Sequence, residues 1–435
     1  MLSVVRGVLH VAWRFPEPFR QATLTVSGTI ERIPGMRPRR ARATLVASCI
    51  IHFLHDGCSD LLYVLFPAWA REFSLSFAQV GLLRTGYSGA LALFQVPAGF
   101  LAERWGEPRV LAAGTFVTAV GFLCLGTAGS FALLLVFLVL GGLGSGTQHP
   151  LSSALVSRAY EEGRLRAALG AFNFSGDLGK VTWPACAAFV TAWAGWRWAA
   201  RGMGAVVFAA AFGVFFVLTS LAPGDEAKKE IRSPDRADNG WGIRNAWGFS
   251  LLSAIHGIDN GSRTVFLTYL PFLLLGKGAA MDMMGLALGL TFAGGATGKF
   301  VCGVLAERLG IIRTVLVTEA ATGLGILVLL VLPVMPTLFL LPILGIALNG
   351  TSSVLYGTVA ELVVPERRSR VYGVFYTIGI GAGALAPPLF GLLSDAAGVP
   401  ATLAVLAAVI LVTLPLARLL RPAIEPQRVG ASRRT

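Results

Sequence analysis

The chain has 435 residues, 55% of them hydrophobic and only 14% charged, with 36 Lys and Arg against 23 Asp and Glu. Soluble domains carry about a quarter charged residues, so this composition excludes an ordinary soluble enzyme and points to a membrane protein. The net charge of +13 is spread between apolar stretches and at both ends, with no zinc-finger spacing and no RNA-binding aromatic signature, which argues against a nucleic-acid partner.

Residues 1–42 hold eight arginines and several prolines. They lack an uninterrupted apolar core before a small-residue cleavage site, and so read as a basic cytoplasmic tail, not a signal peptide. Twelve apolar spans follow, with cores near 44–66, 78–101, 109–129, 131–157, 167–192, 198–221, 247–275, 283–305, 312–332, 336–361, 371–393 and 399–420. Each has about the twenty residues that cross a bilayer. The longest interior polar stretch lies in 222–246 and reads as a cytoplasmic linker between an N-terminal half, 43–221, and a C-terminal half, 247–420. Residues 421–435 form a second tail. With the N-terminus inside, the cytoplasmic segments hold 28 basic residues and the outer loops four, Arg71, Arg197, Arg201 and Lys277. That asymmetry puts both termini in the cytoplasm. Cys49, Cys58, Cys124, Cys186 and Cys302 all fall in apolar segments and make no CxxC pair, so they read as small buried side chains and not as a metal site or disulfide framework.

The halves repeat. A shift of 204 residues lays Ile51-His52 on Ile255-His256, Gly57 on Gly261, Pro67 on Pro271, and GFLAERWGEPR (99–109) on GVLAERLGIIR (303–313). Further on, a shift of 203 lays Gly170 and Pro184 on Gly373 and Pro387. Both halves start on the same side, so this is a parallel repeat. The expected fold class is an all-α membrane protein: twelve transmembrane helices in two parallel six-helix repeats around a central cavity.

Two six-span halves, a basic linker and GxLAERxG after spans 2 and 8 resemble the major facilitator superfamily over residues 43–420. The His52-x-x-x-Asp56 spacing, FPAWAREFSLSFAQVG and QHPLSS (148–153) resemble the fosmidomycin-resistance type of exporter within it. The resemblance implies alternating access around a cavity lined by spans 1, 5 and 7. It also implies cytoplasmic gate loops built on Gly99, Glu103, Arg104, Gly106 and Arg109, and on Gly303, Glu307, Arg308, Gly310 and Arg313. Their charges would pair with helix ends to hold the cytoplasmic side shut. Glu103 and Glu307 stand where the family usually has Asp.

A charge at mid-bilayer costs at least about 2.5 kcal/mol and needs a reason. His52 lies about 13 Å into span 1 at about 1.5 Å per residue, and Asp56 one turn further. With Tyr63 they share one helix face, which must look into the bundle. Histidine titrates near neutrality and a carboxylate beside it can be tuned toward it, so His52, Asp56 and Asp177 are candidate proton carriers; hydrogen bonding alone is the plain alternative. Asp60 sits near the outer end, where water can solvate it. Spacing permits internal ion pairs between Asp177 and Lys180 and between Asp259 and Arg263. Arg84 could snorkel to the outer face, and His149 reads as a packed, hydrogen-bonded residue. His256, Lys299 and Glu319 are single intramembrane polar residues. Asn173, Asn260 and Asn349 suit substrate or interhelical hydrogen bonds equally. The substrate-cavity set is therefore Tyr63, Arg84, His149, Asn173, Lys180, His256, Asp259, Asn260, Arg263 and Asn349.

GGATGKF (294–300) lacks the Ser or Thr a phosphate loop requires and lies inside a span. No catalytic constellation or metal motif occurs, so an enzyme is disfavoured and no cofactor is expected beyond a proton gradient. The leading reading is a monomeric proton-coupled secondary transporter in a bacterial plasma membrane, in contact with lipid and exporting a small drug-like or toxic molecule. Alternatives are uptake of an anionic metabolite, with Lys180, Arg263 and Arg84 as counter-charges, and a non-transporting receptor on the same fold.

Overall fold

A computed structural model describes residues 38–160, 162–221, 242–364 and 368–424. Most of the expected N-terminal tail, most of the linker and nearly all of the C-terminal tail lie outside them. Among the described residues there are thirteen helices and no strand. The first half holds α1 (Pro38–Glu72), α2 (Phe77–Trp105), α3 (Glu107–Leu125), α4 (Phe131–Ser145), α5 (Gln148–Ala159), α6 (Glu162–Ala194) and α7 (Trp196–Leu221). The second holds α8 (Ala246–Gly276), α9 (Met283–Leu309), α10 (Ile311–Val331), α11 (Val334–Leu362), α12 (Arg368–Leu411) and α13 (Thr413–Ile424). They follow the expected spans in order: α4 and α5 share one span, and α12 turns at Gly398. Among the described residues, eight stretches are long and apolar enough to cross a membrane on length and composition. The other long helices, α2, α6 and α8, are those that carry Arg84, Asp177 with Lys180, and Asp259 with Arg263 in mid-helix.

The repeat is written into the backbone. Gly106 and Gly310, 204 apart, take φ of +85° and +86° where α2 meets α3 and α9 meets α10; Gly195 and Gly398, 203 apart, take +89° and +83°. A side chain is strained at such angles, so glycine is what allows the abrupt turn from one helix into the next. Helix starts are capped locally: Ser76 Oγ accepts from the Gln79 amide while Gln79 Oε1 accepts from the Ser76 amide, and Asn245 Oδ1 accepts from Gly248 at 2.9 Å.

The two ends of the bundle differ. At the end holding the C-terminal turns of α1 and α8, one apolar cluster runs across both halves, including Leu62, Phe66 and Trp69 with Phe266, Leu270 and Leu403. At the opposite end each half has its own cluster. Ala47, Ile51, Leu111 and Leu218 pack in the first half, and Leu252, Ile255, Leu355 and Phe375 in the second. The halves are thus sealed together at one end only. There α2 meets α12 without room for side chains: a Cβ on Gly81 would sit 2.5 Å from Pro388 Cα, and one on Gly391 2.5 Å from the Phe77 carbonyl oxygen. Asp395 of α12 accepts from the amides of Phe77 (2.6 Å) and Ala78 (3.0 Å), capping the start of α2 from the other half. Tyr269 Oη donates to the Pro387 carbonyl at 2.7 Å or to that of Phe77 at 3.1 Å.

At the open end the expected gate pairs are not formed. Glu103, Arg104, Arg109, Glu307, Arg308 and Arg313 are exposed, and among the described residues none makes an ion pair. Gly99 and Gly303 face open space. The pair present near there is Arg158 with Glu107 at 3.0 Å. The physical reason is separation: among the described residues, the apolar clusters at this end belong to one half each, and the gate charges face solvent.

The Asp395 cap gives a testable consequence. Loss of a helix N-cap costs about 1 kcal/mol, which shifts a two-state equilibrium about fivefold. The prediction is that Asp395→Ala increases labelling of a single cysteine placed at Thr85, whose hydroxyl donates to the Ala384 carbonyl of the other half; labelling equal to that of the Asp395 parent would remove the cap from the closure.

Candidate functional site

Between the halves lies a cavity of about 770 Å³. Its wall takes Asp56, Asp60, Tyr63, Arg84, His149, Asn173, Asp177 and Lys180 from the first half, and Asn260, Arg263, Lys299 and Asn349 from the second. Apolar helices form the shell, and their polar residues are turned inward because lipid cannot solvate them.

The centre of this wall is Asp56, only 7% exposed. Lys180 Nζ lies 3.2 Å from its Oδ2, His52 Nε2 also 3.2 Å from Oδ2, and His149 Nε2 3.6 Å from Oδ1. Close packing of α1 on α6 makes this possible. A Cβ on Gly176 would lie 2.5 Å from His52 Nε2 and 2.7 Å from Asp56 Oδ2, so glycine there leaves the space the pair occupies. His52 Nδ1 lies 2.8 Å from the Phe172 carbonyl, which can only accept, so that nitrogen carries a hydrogen. A neutral His52 then turns the lone pair of Nε2 toward Asp56. The contact is a hydrogen bond only when one extra proton is present, on the ring or on the carboxyl.

Three further clusters surround it. Asp177 binds Lys299 of the other half through both carboxylate oxygens at 2.7 Å. Arg84 donates to the Ser59 carbonyl at 2.8 Å, lies 3.9 Å from Asp60 and stacks 4.6 Å above the Tyr63 ring. Arg263 donates to Ser352 Oγ at 2.9 Å, and that hydroxyl donates to Asp259 Oδ2 at 2.9 Å. Four basic lining residues, Arg84, Lys180, Arg263 and Lys299, face three acidic ones, Asp56, Asp60 and Asp177. Among the described residues no carboxylate reaches ion-pair distance of Arg263.

Several expectations are corrected. Asp177 and Lys180 are not paired with each other; each reaches a neighbouring helix, because α1 and α9 offer partners closer than the next turn of α6. Asp259 and Arg263 do not pair directly but through Ser352. Arg84 does not snorkel: it is buried and held to α1. Asp60 is not solvated but 6% exposed beside Arg84. His149 is not packed away; its side chain is 45% exposed to the cavity. His256 does not line the cavity. It is fully buried, stacked on Phe375 with centroids 4.2 Å apart and screened by Tyr356. Asp259 lies behind Ser352, and His52 behind Asp56. Lys299, Ser352 and Tyr356 were absent from the expected cavity set. Lys299 had a signal, a lysine alone in an apolar span, whereas the other two look like ordinary helix residues in sequence.

The ligand atoms of His52, Asp56 and His149 lie within 4.8 Å of one another, a spacing a metal ion could bridge. The ammonium of Lys180 already sits on that carboxylate, so the cation this group holds is the protein's own.

A sealed end, an open end and a charged chamber between two repeated helical halves are the arrangement of a membrane transporter. The model for the Major Facilitator Superfamily matches residues 48–255 and again 249–435, and the chain belongs to that superfamily. It is 26% identical over 375 residues to the fosmidomycin resistance protein of Escherichia coli K12, covering 82% of this chain and 88% of that one. It is 24% identical over 376 residues to the probable sulfoacetate transporter SauU of Cupriavidus necator, covering 80% and 86%. A solved bacterial homolog of the human lysosomal transporter Spinster, inward-facing and occupied, shares the fold with a TM-score of 0.75 at 18% identity, covering 89% of this chain and 97% of that one.

The Gly176 contact can be tested. The prediction is that Gly176→Ala, which drives a methyl group into His52 and Asp56, lowers transport at least about tenfold, while Gly170→Ala, with nothing within 4 Å, leaves it unchanged. Normal transport in reconstituted Gly176→Ala protein would show that the His52–Asp56 contact is dispensable.

Proposed function

We propose that this transporter couples proton movement to the passage of a small organic molecule bearing an anionic group. The observation that carries the reading is the set of three nitrogens on Asp56. With the extra proton present, His52, Asp56 and Lys180 together carry one net positive charge. Without it, Asp56 neutralises Lys180 and the group is neutral. An anion entering the chamber is therefore held more firmly when the proton is bound, and by linkage the anion tightens proton binding. A coupling of roughly 1–3 kcal/mol, or about 5–150-fold in affinity, is ordinary for such pairs. Arg263 adds a second positive wall opposite.

Ligand and proton then move together. With a bacterial plasma membrane as the setting and both termini cytoplasmic, the open end is the cytoplasmic one and the described state faces inward. The bilayer is the protein's environment, and the proton gradient is its energy source. The relative named as a sulfoacetate transporter agrees with an anionic cargo. The second reading, export of a toxic compound by proton antiport, is favoured by relatives named for resistance, among them the E. coli fosmidomycin resistance protein. Direction of accumulation separates the two.

In proteoliposomes the prediction is that accumulation of a small organic acid follows an imposed inward proton gradient and vanishes when the gradient is collapsed. Asp56→Asn should retain exchange of the anion yet lose gradient-driven accumulation, because the site is then held in one charge state. Gradient-driven accumulation that persists in Asp56→Asn would sink the assignment of coupling to this residue.

A further inference from the structure

The second half contains an acidic pair that the Asp56 chemistry leaves unused. Asp259 on α8 and Glu319 on α10 are 4% and 2% exposed, and each carboxyl group acts electrostatically on the other. Two carboxylates buried beside each other can only accept and repel, and a hydrogen on one of them removes that conflict. The groups facing the pair come from each element packed on it. Arg263 of α8 acts on Asp259, Ser352 and Thr351 come from α11, and Thr413 of α13 lies with its hydroxyl 3.2 Å from Glu319 Oε2. Among the described residues, no basic side chain makes an ion pair with Glu319.

The internal repeat shows that this arrangement is not imposed by the fold. A shift of 204 lays Asp259 on His55 and Glu319 on Thr115. In the first half these two positions also meet, His55 Nε2 lying 3.1 Å from Thr115 Oγ1 with Ser145 Oγ on the other ring nitrogen at 3.0 Å. A histidine, which can be neutral, and hydroxyls satisfy the same buried contact between equivalent helices. Two acids there are far costlier to bury unless a proton is held between them.

We propose that Asp259 and Glu319 form a second proton-binding site, separate from Asp56, in which one hydrogen is covalently held by Glu319 and donated to the Asp259 carboxylate. The pair then carries a single negative charge, and Ser352 links it to the single positive charge of Arg263 on the chamber wall. Removing the hydrogen breaks the Glu319 O–H bond and leaves two carboxylates in contact. The route for the proton is the Asp259 side, because Ser352 lines the chamber whereas Glu319 is enclosed by Thr351 and Thr413. The site thereby ties the charge balance around Arg263 to protonation in the second half.

Infrared spectroscopy of the reconstituted full-length protein tests this without any transport measurement. Ordinary carboxyls, with pKa values of about 4, are ionised at pH 7. The wild type should nevertheless show a protonated-carboxyl stretch at that pH. Labelling the glutamate carboxyls with carbon-13 should shift it, and Asp56→Asn should leave it in place. In Glu319→Gln, whose amide can still donate to Asp259, the band should be lost. Absence of the band in the wild type, insensitivity to glutamate labelling, or survival unchanged in Glu319→Gln would each overturn the proposal. The labelling result stands on the wild type alone, so it decides the matter even where the variant does not fold.

Discussion

A carboxylate enclosed by apolar helices has to be met by positive charge or by a proton, and the arrangement around Asp56 is organised by that requirement. Burial alone would make an isolated Asp56 prohibitively costly. Lys180 from α6 and His52 from the preceding turn of α1 settle the charge, and His149 from α5 adds a third, solvent-facing nitrogen. These contacts depend on glycine backbone: Gly176 clears the room for His52 and Asp56, and Gly179 lies directly on the Phe53 carbonyl. Small residues thus bring α1 and α6 together, and close approach fixes which charges can meet. What results is a polar wall whose net charge depends on a single proton.

The two halves share a scaffold but not a chemistry. Equivalent glycines turn the chain at Gly106 and Gly310, and His52 and His256 occupy equivalent positions. Yet His52 faces an aspartate four residues on, whereas His256 has Asn260 in that place and packs against aromatic rings instead. Without a carboxylate beside it, the second histidine has no reason to hold a charge. Acidic character in the second half has moved to Asp259 and Glu319, one layer behind the chamber surface. A duplicated fold therefore presents an ion-paired wall on one side and, on the other, an arginine backed by a serine.

Much of this architecture was legible in sequence because it rests on periodic or local signals. Span lengths, the 204-residue shift and the punctuating glycines are properties of contiguous chain, and the helices follow them. Depth along a helix is also local, which is why most of the charged residues expected at mid-span do line the cavity. Pairing is different. Asp177 has Lys180 three residues away, an arrangement that would stabilise an isolated helix, yet it binds Lys299 from 122 residues further along. The i, i+3 spacing is worth a few tenths of a kcal/mol on a helix surface, too little to outweigh cross-helix geometry in a water-poor interior. The same holds for Asp259 and Arg263. Arg84 shows the limit from another direction: its depth suggested an escape toward the outer face, but a backbone carbonyl, an aspartate and a tyrosine ring lie within reach and hold it in the bundle.

The asymmetry between the ends says what alternation must accomplish. One apolar cluster joins the halves at the sealed end, while separate clusters hold each half at the open end. Reversal requires breaking the first across the interface while leaving the others intact, so the sealed contact cannot be too favourable. Its composition suits that requirement. Gly81 against the Pro387–Pro388 backbone, and Asp395 on two amides, are close-fitting but small, and Asp395 is exposed to solvent. At the other end the exposed charges around the α2–α3 and α9–α10 turns make no ion pair across the halves among the described residues. Exposed pairs contribute at most about 1 kcal/mol each, comparable to a helix cap. The closure seen at the sealed end therefore combines a cross-half apolar cluster with a few close polar contacts, and the charged chamber lies directly behind it.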